Sequence, residues 1–141
     1  MVPLSCTIEA PQTAPLAGPV MLRFVLRNVG DGPLRVLAWG TPWEGRWTAP
    51  FVRVSRDGAD LPYDGPMVKR MAPAPRDYFV LRPGDRREAR LDLGDAFLLD
   101  RSGLYRVVPT IRLPDVRAPD EPGDAPHLLV LDCADVTVTL R

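Results

Sequence analysis

The segment VMLRFVLRN, residues 20–28, decides the fold class of this chain. Its side chains form two alternating sets: Val20, Leu22, Phe24 and Leu26 on one side, and Met21, Arg23, Val25 and Arg27 on the other. Alternation with a period of two residues is typical of a β-strand that buries one face. The segment therefore predicts a strand whose first set faces a core.

Short segments of the same kind lie on both sides of this strand. Seventeen prolines and eleven glycines separate them, which leaves no room for long helices. Predicted strands cover residues 4–9, 34–39, 51–56, 61–63, 78–81, 86–93, 104–113 and 128–140, with one helical turn at 95–99. About seven to nine short strands with frequent turns predict an all-β fold, an immunoglobulin-like antiparallel β-sandwich. The segment Asp100–Tyr105 adds to this prediction, because it resembles the tyrosine corner of such folds.

Length and charge restrict the possible functions. A chain of 141 residues fits one domain, so residues 1–141 are expected to form a single sandwich with a mobile, acidic, proline-rich loop at 114–127. The 18 basic residues balance 18 acidic ones, which argues against nucleic acid as a partner. No segment reaches the roughly 20 apolar residues that span a bilayer, so no membrane partner is expected. The sequence does not indicate an oligomeric state.

Catalytic and metal-binding patterns are missing from the sequence. His127 is the single histidine, so an HExxH zinc site cannot be assembled. A serine or cysteine nucleophile would need the same histidine as its base, and His127 is instead expected to have a structural or solvated role. Asp115, Asp120, Glu121 and Asp124 lack the spacing of a calcium loop and are interpreted as solvated charges. We therefore expect no catalytic residues, no metal site and no cofactor, and a protein that is not an enzyme.

The two cysteines, Cys6 and Cys133, lie near opposite ends of the chain. The first and last strands of a sandwich commonly lie close together, so a disulfide is one alternative, and two buried thiols are the other. The sequence does not decide the cellular compartment either. The domain is periplasmic or secreted if a signal peptide has been removed, and cytoplasmic otherwise.

Two segments are unusual for a plain scaffold. The first, residues 39–47, contains Trp39, Trp43 and Trp47. Trp39 is expected to cap the core at a strand end, whereas Trp43 and Trp47 either form a contact surface or cover a sheet edge. The second segment, residues 63–73, carries Tyr63, Met67, Lys69 and Arg70. It is either a connection between strands or an extended segment that enters a partner's cleft, where Lys69 or Arg70 would meet a carboxylate.

The same segments carry a resemblance to a known family. Residues 34–45, LRVLAWGTPWEG, resemble the pattern VLKWNTPLEG in the domain that precedes the catalytic domain of deuterolysin-like (aspzincin) zinc metalloendopeptidases. Further similar words follow in the same order: Phe51, Arg56-Asp57-Gly58, Tyr63 to Arg70 with Pro73, Asp77-Tyr78, Leu81 to Gly84, Asp92-Leu93 and Gly103-Leu104-Tyr105. The resemblance covers roughly residues 4–108.

This resemblance implies an accessory domain without an enzyme. In the family, the upstream domain looks like an immunoglobulin-type sandwich and acts as a prosegment that assists folding and inhibits the protease. The HExxH helix of the protease is absent from this sequence. The leading hypothesis is therefore a non-catalytic protein-binding module, an inhibitor or folding chaperone of a secreted zinc metallopeptidase, which binds through Tyr63, Met67, Lys69, Arg70, Trp43 and Trp47.

Two other hypotheses remain at this point. One is a structural or carbohydrate-binding β-sandwich, in which Trp43 and Trp47 would form the platform for a sugar. The other is a small enzyme of unrecognised chemistry, which the single histidine and the missing motifs disfavour.

Overall fold

The computed structural model describes residues 3–121, 123 and 125–141, and these residues form an all-β sandwich. The strands are β1 (Leu4–Glu9), β2 (Thr13–Ala14), β3 (Met21–Asn28), β4 (Leu34–Leu37), β5 (Val52–Arg56), β6 (Ala59–Leu61), β7 (Tyr78–Leu81), β8 (Arg86–Asp92), β9 (Gly103–Pro109), β10 (Arg112–Leu113), β11 (Val116–Arg117), β12 (Leu129–Val130) and β13 (Val136–Leu140). Three short 3-10 helices cover Pro42–Glu44, Pro75–Asp77 and Leu93–Asp95. No helix in the described part of the chain is long and apolar enough to cross a membrane.

Two main sheets pack face to face. One has the order β1-β3-β8, and the other has the order β2-β13-β9-β5-β6. The remaining strands form two smaller sheets, β11-β4-β7 and β10-β12. The strand pairs of the described residues are antiparallel, apart from the parallel pair of β2 with β13. This layout of a β1-β3-β8 layer over a β13-β9-β5 layer confirms the predicted immunoglobulin-like architecture.

The segment that decides the fold behaves as its alternation predicts. In β3, the side chains of Leu22, Phe24 and Leu26 are fully buried. On the opposite face, Arg23 forms ion pairs with Glu9 of β1 and Glu88 of β8, the two neighbouring strands. The strand therefore contributes its apolar face to the core and its charged face to solvent.

Two long predicted strands are each divided in the structure. The predicted strand at 104–113 is β9 and β10, and the one at 128–140 is β12 and β13. At the first break the chain passes from the five-stranded sheet to the small β10-β12 sheet, and at the second it passes from the small sheet back to the five-stranded one. Leu131, which follows β12, donates its N–H to the carbonyl of Ile111, which precedes β10 (3.0 Å). The predicted helical turn at 95–99 lies earlier, at Leu93–Asp95, because the Asp92 carboxylate accepts the N–H of Gly94 and caps it.

Local turn and corner motifs form as expected. Asp57 and Gly58 both have positive φ angles, 49° and 88°, and they join β5 to β6 in a tight hairpin. Tyr105 is fully buried in β9, and its hydroxyl donates to the carbonyl oxygen of Arg101 at 2.6 Å. This contact confirms the predicted tyrosine corner.

A disulfide joins Cys6 to Cys133. Cys6 lies in β1, and Cys133 lies in the segment that leads into β13, so the bond connects the first strand to the approach of the last one across 127 positions of sequence. Both residues are buried within the main core. Of the two alternatives for the cysteines, the structure therefore shows the cross-link.

Candidate functional site

The first tryptophan-rich segment folds as one compact unit. The hydroxyl of Thr41 accepts the N–H of Trp43 and caps the short helix Pro42–Glu44, whose first position is the proline that this position favours. Gly45 ends the helix in a left-handed conformation with φ 83°. Thr41, Pro42 and Gly45 of the TPWEG word thus each have a local structural role.

Glu44, at the end of the short helix, has a carboxylate that accepts several hydrogen bonds. Its Oε1 accepts hydrogen bonds from the N–H of Gly40 (2.8 Å) and from the hydroxyl of Thr48 (2.7 Å). Its Oε2 accepts a charge-assisted hydrogen bond from Nη2 of Arg70. The Arg70 guanidinium also lies 5.2 Å from the ring centroid of Trp39, within cation–π range. We call this arrangement of Glu44, Arg70 and Trp39 the clamp.

The clamp fixes the middle of the segment between β6 and the helix Pro75–Asp77, residues 62–74, which we call the strap. Near the clamp, the N–H of Val68 donates to the carbonyl of Thr48 at 2.9 Å. In the same segment, Met67 is 69% exposed, Met71 is 94% exposed and Lys69 is also exposed. The strap therefore presents two methionines and one cation to solvent from a fixed base.

Tyr63 supports the strap at its start. It is half-buried, its ring packs edge-on against Phe97 with the centroids 5.7 Å apart, and its hydroxyl donates to the carbonyl of Pro66 at 2.6 Å. Burial raises the pKa of the Tyr63 hydroxyl. Tyr63 and Arg70 thus hold the strap to the sandwich, whereas Met67 and Lys69 face outward.

The clamp corrects the expected role of Arg70. The sequence analysis assigned Lys69 or Arg70 to a partner's carboxylate, but Glu44 already supplies a carboxylate to Arg70, whose side chain is only 24% exposed. Lys69 is the residue of the pair whose side chain faces solvent.

Trp43 and Trp47 do not form a contact surface, and this expectation was wrong for the free domain. They are 3% and 5% exposed. The indole of Trp47 stacks on Phe51 with the ring centroids 4.5 Å apart, and its Nε1 donates to the carbonyl of Asp92. Burying a large indole against the core is more favourable than leaving it in water, so both side chains turn inward. A sugar platform on these two rings is therefore excluded.

A second polar cluster lies beside the end of the strap. Asp115 is buried and accepts hydrogen bonds from the Tyr78 hydroxyl (2.6 Å), from the N–H of His127 (2.9 Å) and from Arg117, which is also buried. Burial alone would raise the pKa of Asp115, but these three donors outweigh it and lower the pKa below its usual value. Asp115 is thus a buried anion that holds three separate chain segments together.

This cluster corrects the expected acidic loop. Asp115 and Arg117 belong to the sandwich, and β11 pairs with β4, so residues 114–117 are not part of a mobile, solvated loop. Of the other acidic residues considered, Asp120 is exposed and Glu121 lies 2.7 Å from Nδ1 of His127, while Asp124 lies outside the described residues. Within the described residues, no group of three potential metal ligands comes together.

Truncation of Arg70 is predicted to destabilise the domain much more than truncation of Lys69. Arg70→Ala should lower the free energy of unfolding by about 1–2 kcal/mol, because it leaves the Glu44 carboxylate with reduced compensation in a mostly buried position. Lys69→Ala should change it by less than about 0.5 kcal/mol, because its side chain is exposed. Urea unfolding of both variants measures the difference. Equal effects of the two substitutions would contradict the clamp.

The sequence pointed to the strap and to the TPWEG segment but not to the bond between them. Glu44 was absent from the predicted site, although it lies within the family-like word. Tyr78, Asp115 and Arg117 were also missed as a cluster, because Tyr78 is 37 positions from Asp115 and no local pattern marks the Asp115–Arg117 pair as buried.

The comparisons with known proteins add one informative relative. No family model matches the chain. The chain is 32% identical over 95 residues to an extracellular protease of Aeromonas hydrophila, and the match covers 65% of this chain and 27% of that protein. The chain thus spans about a quarter of the length of this relative. In overall structure, it is similar to a CARDB domain of Pyrococcus furiosus, with 12% identity, a TM-score of 0.42 and coverage of 98% of this chain and 94% of that one.

Proposed function

We propose that this domain is a non-catalytic accessory module that binds an extracellular protease through the strap. The observation that carries the proposal is the exposed set of Met67, Lys69 and Met71, which a charged clamp fixes at the base. Exposed apolar side chains that are grouped in this way typically mark interaction sites on a soluble protein. The partial similarity to an extracellular protease supplies the class of partner.

The chemistry of the strap suits protein recognition. Methionine is flexible and polarisable, so two methionines can fill irregular apolar pockets on a partner. Lys69 lies between them and adds a point charge that a carboxylate at the rim of such a pocket would attract. Because the clamp and the Val68 hydrogen bond already order the backbone, binding would lose less conformational entropy than binding of a free peptide.

The resemblance narrows the partner to a zinc metallopeptidase of the deuterolysin-like family, for which the domain acts as an inhibitor or folding chaperone. The two family-like words that contain Glu44 and Arg70 are joined by the clamp. A chain that holds the strap in this position needs both the segment with Glu44 and the segment with Arg70. This requirement is a physical reason for the two segments to occur together. The buried disulfide supports a secreted or periplasmic location, because such bonds persist in oxidising compartments.

Binding to a deuterolysin-like zinc metalloendopeptidase tests the proposal. The triple variant Met67→Ser, Lys69→Ala, Met71→Ser is expected to bind more weakly, with a dissociation constant at least about 100-fold higher, because a few side chains contribute most of the binding energy of an interface. Biolayer interferometry with the immobilised protease measures this change. If the triple variant has a higher inhibition constant for the protease than the unchanged domain, the domain is an inhibitor. If the denatured protease refolds in lower yield with the triple variant than with the unchanged domain, the domain is a chaperone.

A matched control uses exposed apolar residues outside the strap. Leu98 and Leu128 are 65% and 58% exposed. The variant Leu98→Ser, Leu128→Ser should bind the protease as well as the unchanged domain does. The proposal fails if neither variant alters binding, if both weaken it equally, or if the unchanged domain does not bind.

A further inference from the structure

The strap has little backbone support. Among the described residues, the strap makes two main-chain hydrogen bonds to the rest of the sandwich, from Asp64 to Ala96 near its start and from Val68 to Thr48, and residues 69–73 make none. Its other attachments are made by side chains, through Arg70 to Glu44 and through Tyr63 to the carbonyl of Pro66. Segments with exposed side chains and few backbone hydrogen bonds open at low free energy and are preferred sites of proteolytic cleavage.

The strap also carries the single lysine of the chain, Lys69, next to Arg70. The Lys69 side chain is exposed, so it can enter the acidic specificity pocket of a lysine-directed endopeptidase without unfolding of the sandwich. The residues on either side must still become extended in the enzyme's cleft. This requires release of the Val68 hydrogen bond and of the clamp, but of no strand pairing.

We propose that the Lys69–Arg70 peptide bond is a limited-proteolysis site for a lysine-directed endopeptidase, and that its cleavage divides the strap while the domain stays folded. One water molecule is consumed when the C–N bond breaks. Its oxygen becomes part of the new α-carboxylate of Lys69, and its two hydrogens end on the nitrogen of Arg70, which becomes a protonated α-amino group.

Both the fold and the disulfide hold the two fragments together. Fragment 1–69 contains β1 to β6, and fragment 70–141 contains β7 to β13. The pairs β3–β8 and β5–β9 cross the cut, one in each main sheet. The Cys6–Cys133 bond crosses it as well, so the cleaved domain remains one covalent molecule.

Cleavage would act on the binding surface itself. Met67 and Lys69 would lie at the end of one fragment, and Met71 near the start of the other. The clamp would still hold Arg70, but it would no longer order Met67 and Lys69. The domain would therefore lose the fixed spacing of these side chains, and with it the binding that the proposed function requires. This consequence rests on the proposed function, whereas the cleavage itself does not.

Digestion of the native domain with a lysine-specific endopeptidase tests the cleavage. The expected products are fragments 1–69 and 70–141, seen by mass spectrometry and on a reducing gel. A non-reducing gel should show one band, and circular dichroism should keep its β signal. Lys69→Gln should abolish the cut. The proposal is overturned if the native domain resists digestion that cuts the urea-unfolded domain completely, or if cleavage removes the β signal.

Two further variants distinguish local opening from global unfolding. Glu44→Gln weakens the clamp and should accelerate cleavage about 5- to 30-fold, because the cleavage rate follows the population of the open strap. Val138→Ala removes part of a buried side chain in β13, far from the strap in sequence, and should destabilise the whole domain without this acceleration. Equal acceleration by both variants would show that cleavage needs global unfolding.

The binding assay separates this inference from the proposed function. If the intact domain binds the protease and the cleaved domain binds at least about 100-fold more weakly, cleavage controls binding. If both forms bind equally, the proposed control by cleavage is wrong. If the intact domain binds no protease but is still cut once and stays folded, the proposed function fails and the cleavage site stands.

Discussion

Replacement of both Cys6 and Cys133 by alanine is expected to lower the free energy of unfolding by about 4–5 kcal/mol. The disulfide spans 127 positions, almost the whole chain, so it closes a very long loop and lowers the conformational entropy of the unfolded state by the cost of closing that loop. A loss of this size is a large fraction of the stability of an ordinary domain. Urea unfolding of the oxidised protein and of the variant, each extrapolated to water, measures the difference.

The reduced form of the unchanged protein provides the control. It should be destabilised by a similar amount, because reduction removes the same cross-link without removing the two sulfur atoms from the core. The variant should also show a larger dependence of unfolding on urea, since its unfolded state can expand further. A change below about 1 kcal/mol in both forms would contradict the entropic argument.

Asp115→Ala is expected to cost about 3–5 kcal/mol. The substitution leaves the buried guanidinium of Arg117 without its carboxylate partner and removes the acceptor of the Tyr78 hydroxyl. The double variant Asp115→Leu, Arg117→Met should be less destabilised than Asp115→Ala, because it removes both charges and fills the space with apolar atoms. Thermal or urea unfolding of the two variants tests this order, and the reverse order would contradict it.

The pH dependence of stability supports the same assignment. The pKa of Asp115 is lower in the folded protein than the value of about 3.9 expected for an unfolded chain. Its contribution is therefore fully present above about pH 4, and it is lost as the pH falls through the lower folded pKa. The stability difference between the unchanged protein and Asp115→Ala should shrink in that acidic range and stay constant near neutral pH.

The clamp explains how a long connection between strands can hold exposed side chains in place on this sandwich. A long connection between strands would normally sample many conformations. Here, the carboxylate of Glu44 is held by Gly40 and Thr48 and in turn holds Arg70 in the middle of the connection. The methionines and Lys69 on the outer side of the strap are displayed because Arg70 is used on its inner side.

Much of the fold could be predicted from short-range patterns. The alternation at 20–28 identified a strand and its buried face, and the strands Leu4–Glu9 and Tyr78–Leu81 have the predicted bounds. The Asp57-Gly58 turn and the Tyr105 corner were also predicted correctly. These features depend on backbone preferences and burial that act within a few residues, so a local sequence contains enough information for them.

The candidate site was harder to predict from such short-range patterns. The sequence located the strap, but it treated Arg70 like Lys69 and left open whether Trp43 and Trp47 form a contact surface or cover a sheet edge. The orientation of each side chain depends on a partner that is far away in the chain: Glu44 is 26 positions from Arg70, and the carbonyl that binds the Trp47 indole is 45 positions away. Composition indicated which residues were unusual, but it could not indicate which of them already had partners.

The sequence by itself therefore determined the all-β class, most strands, the tyrosine corner and the two segments from which the site is built. Only the tertiary structure decided that Cys6 meets Cys133, that Asp115 is a buried anion and that Arg70 faces inward while Lys69 faces outward. The physical reason is the distance along the sequence over which each interaction acts. Alternation and turn preferences act along the backbone, whereas the pairing of charges, thiols and indoles depends on how the two sheets stack and on which strands become neighbours.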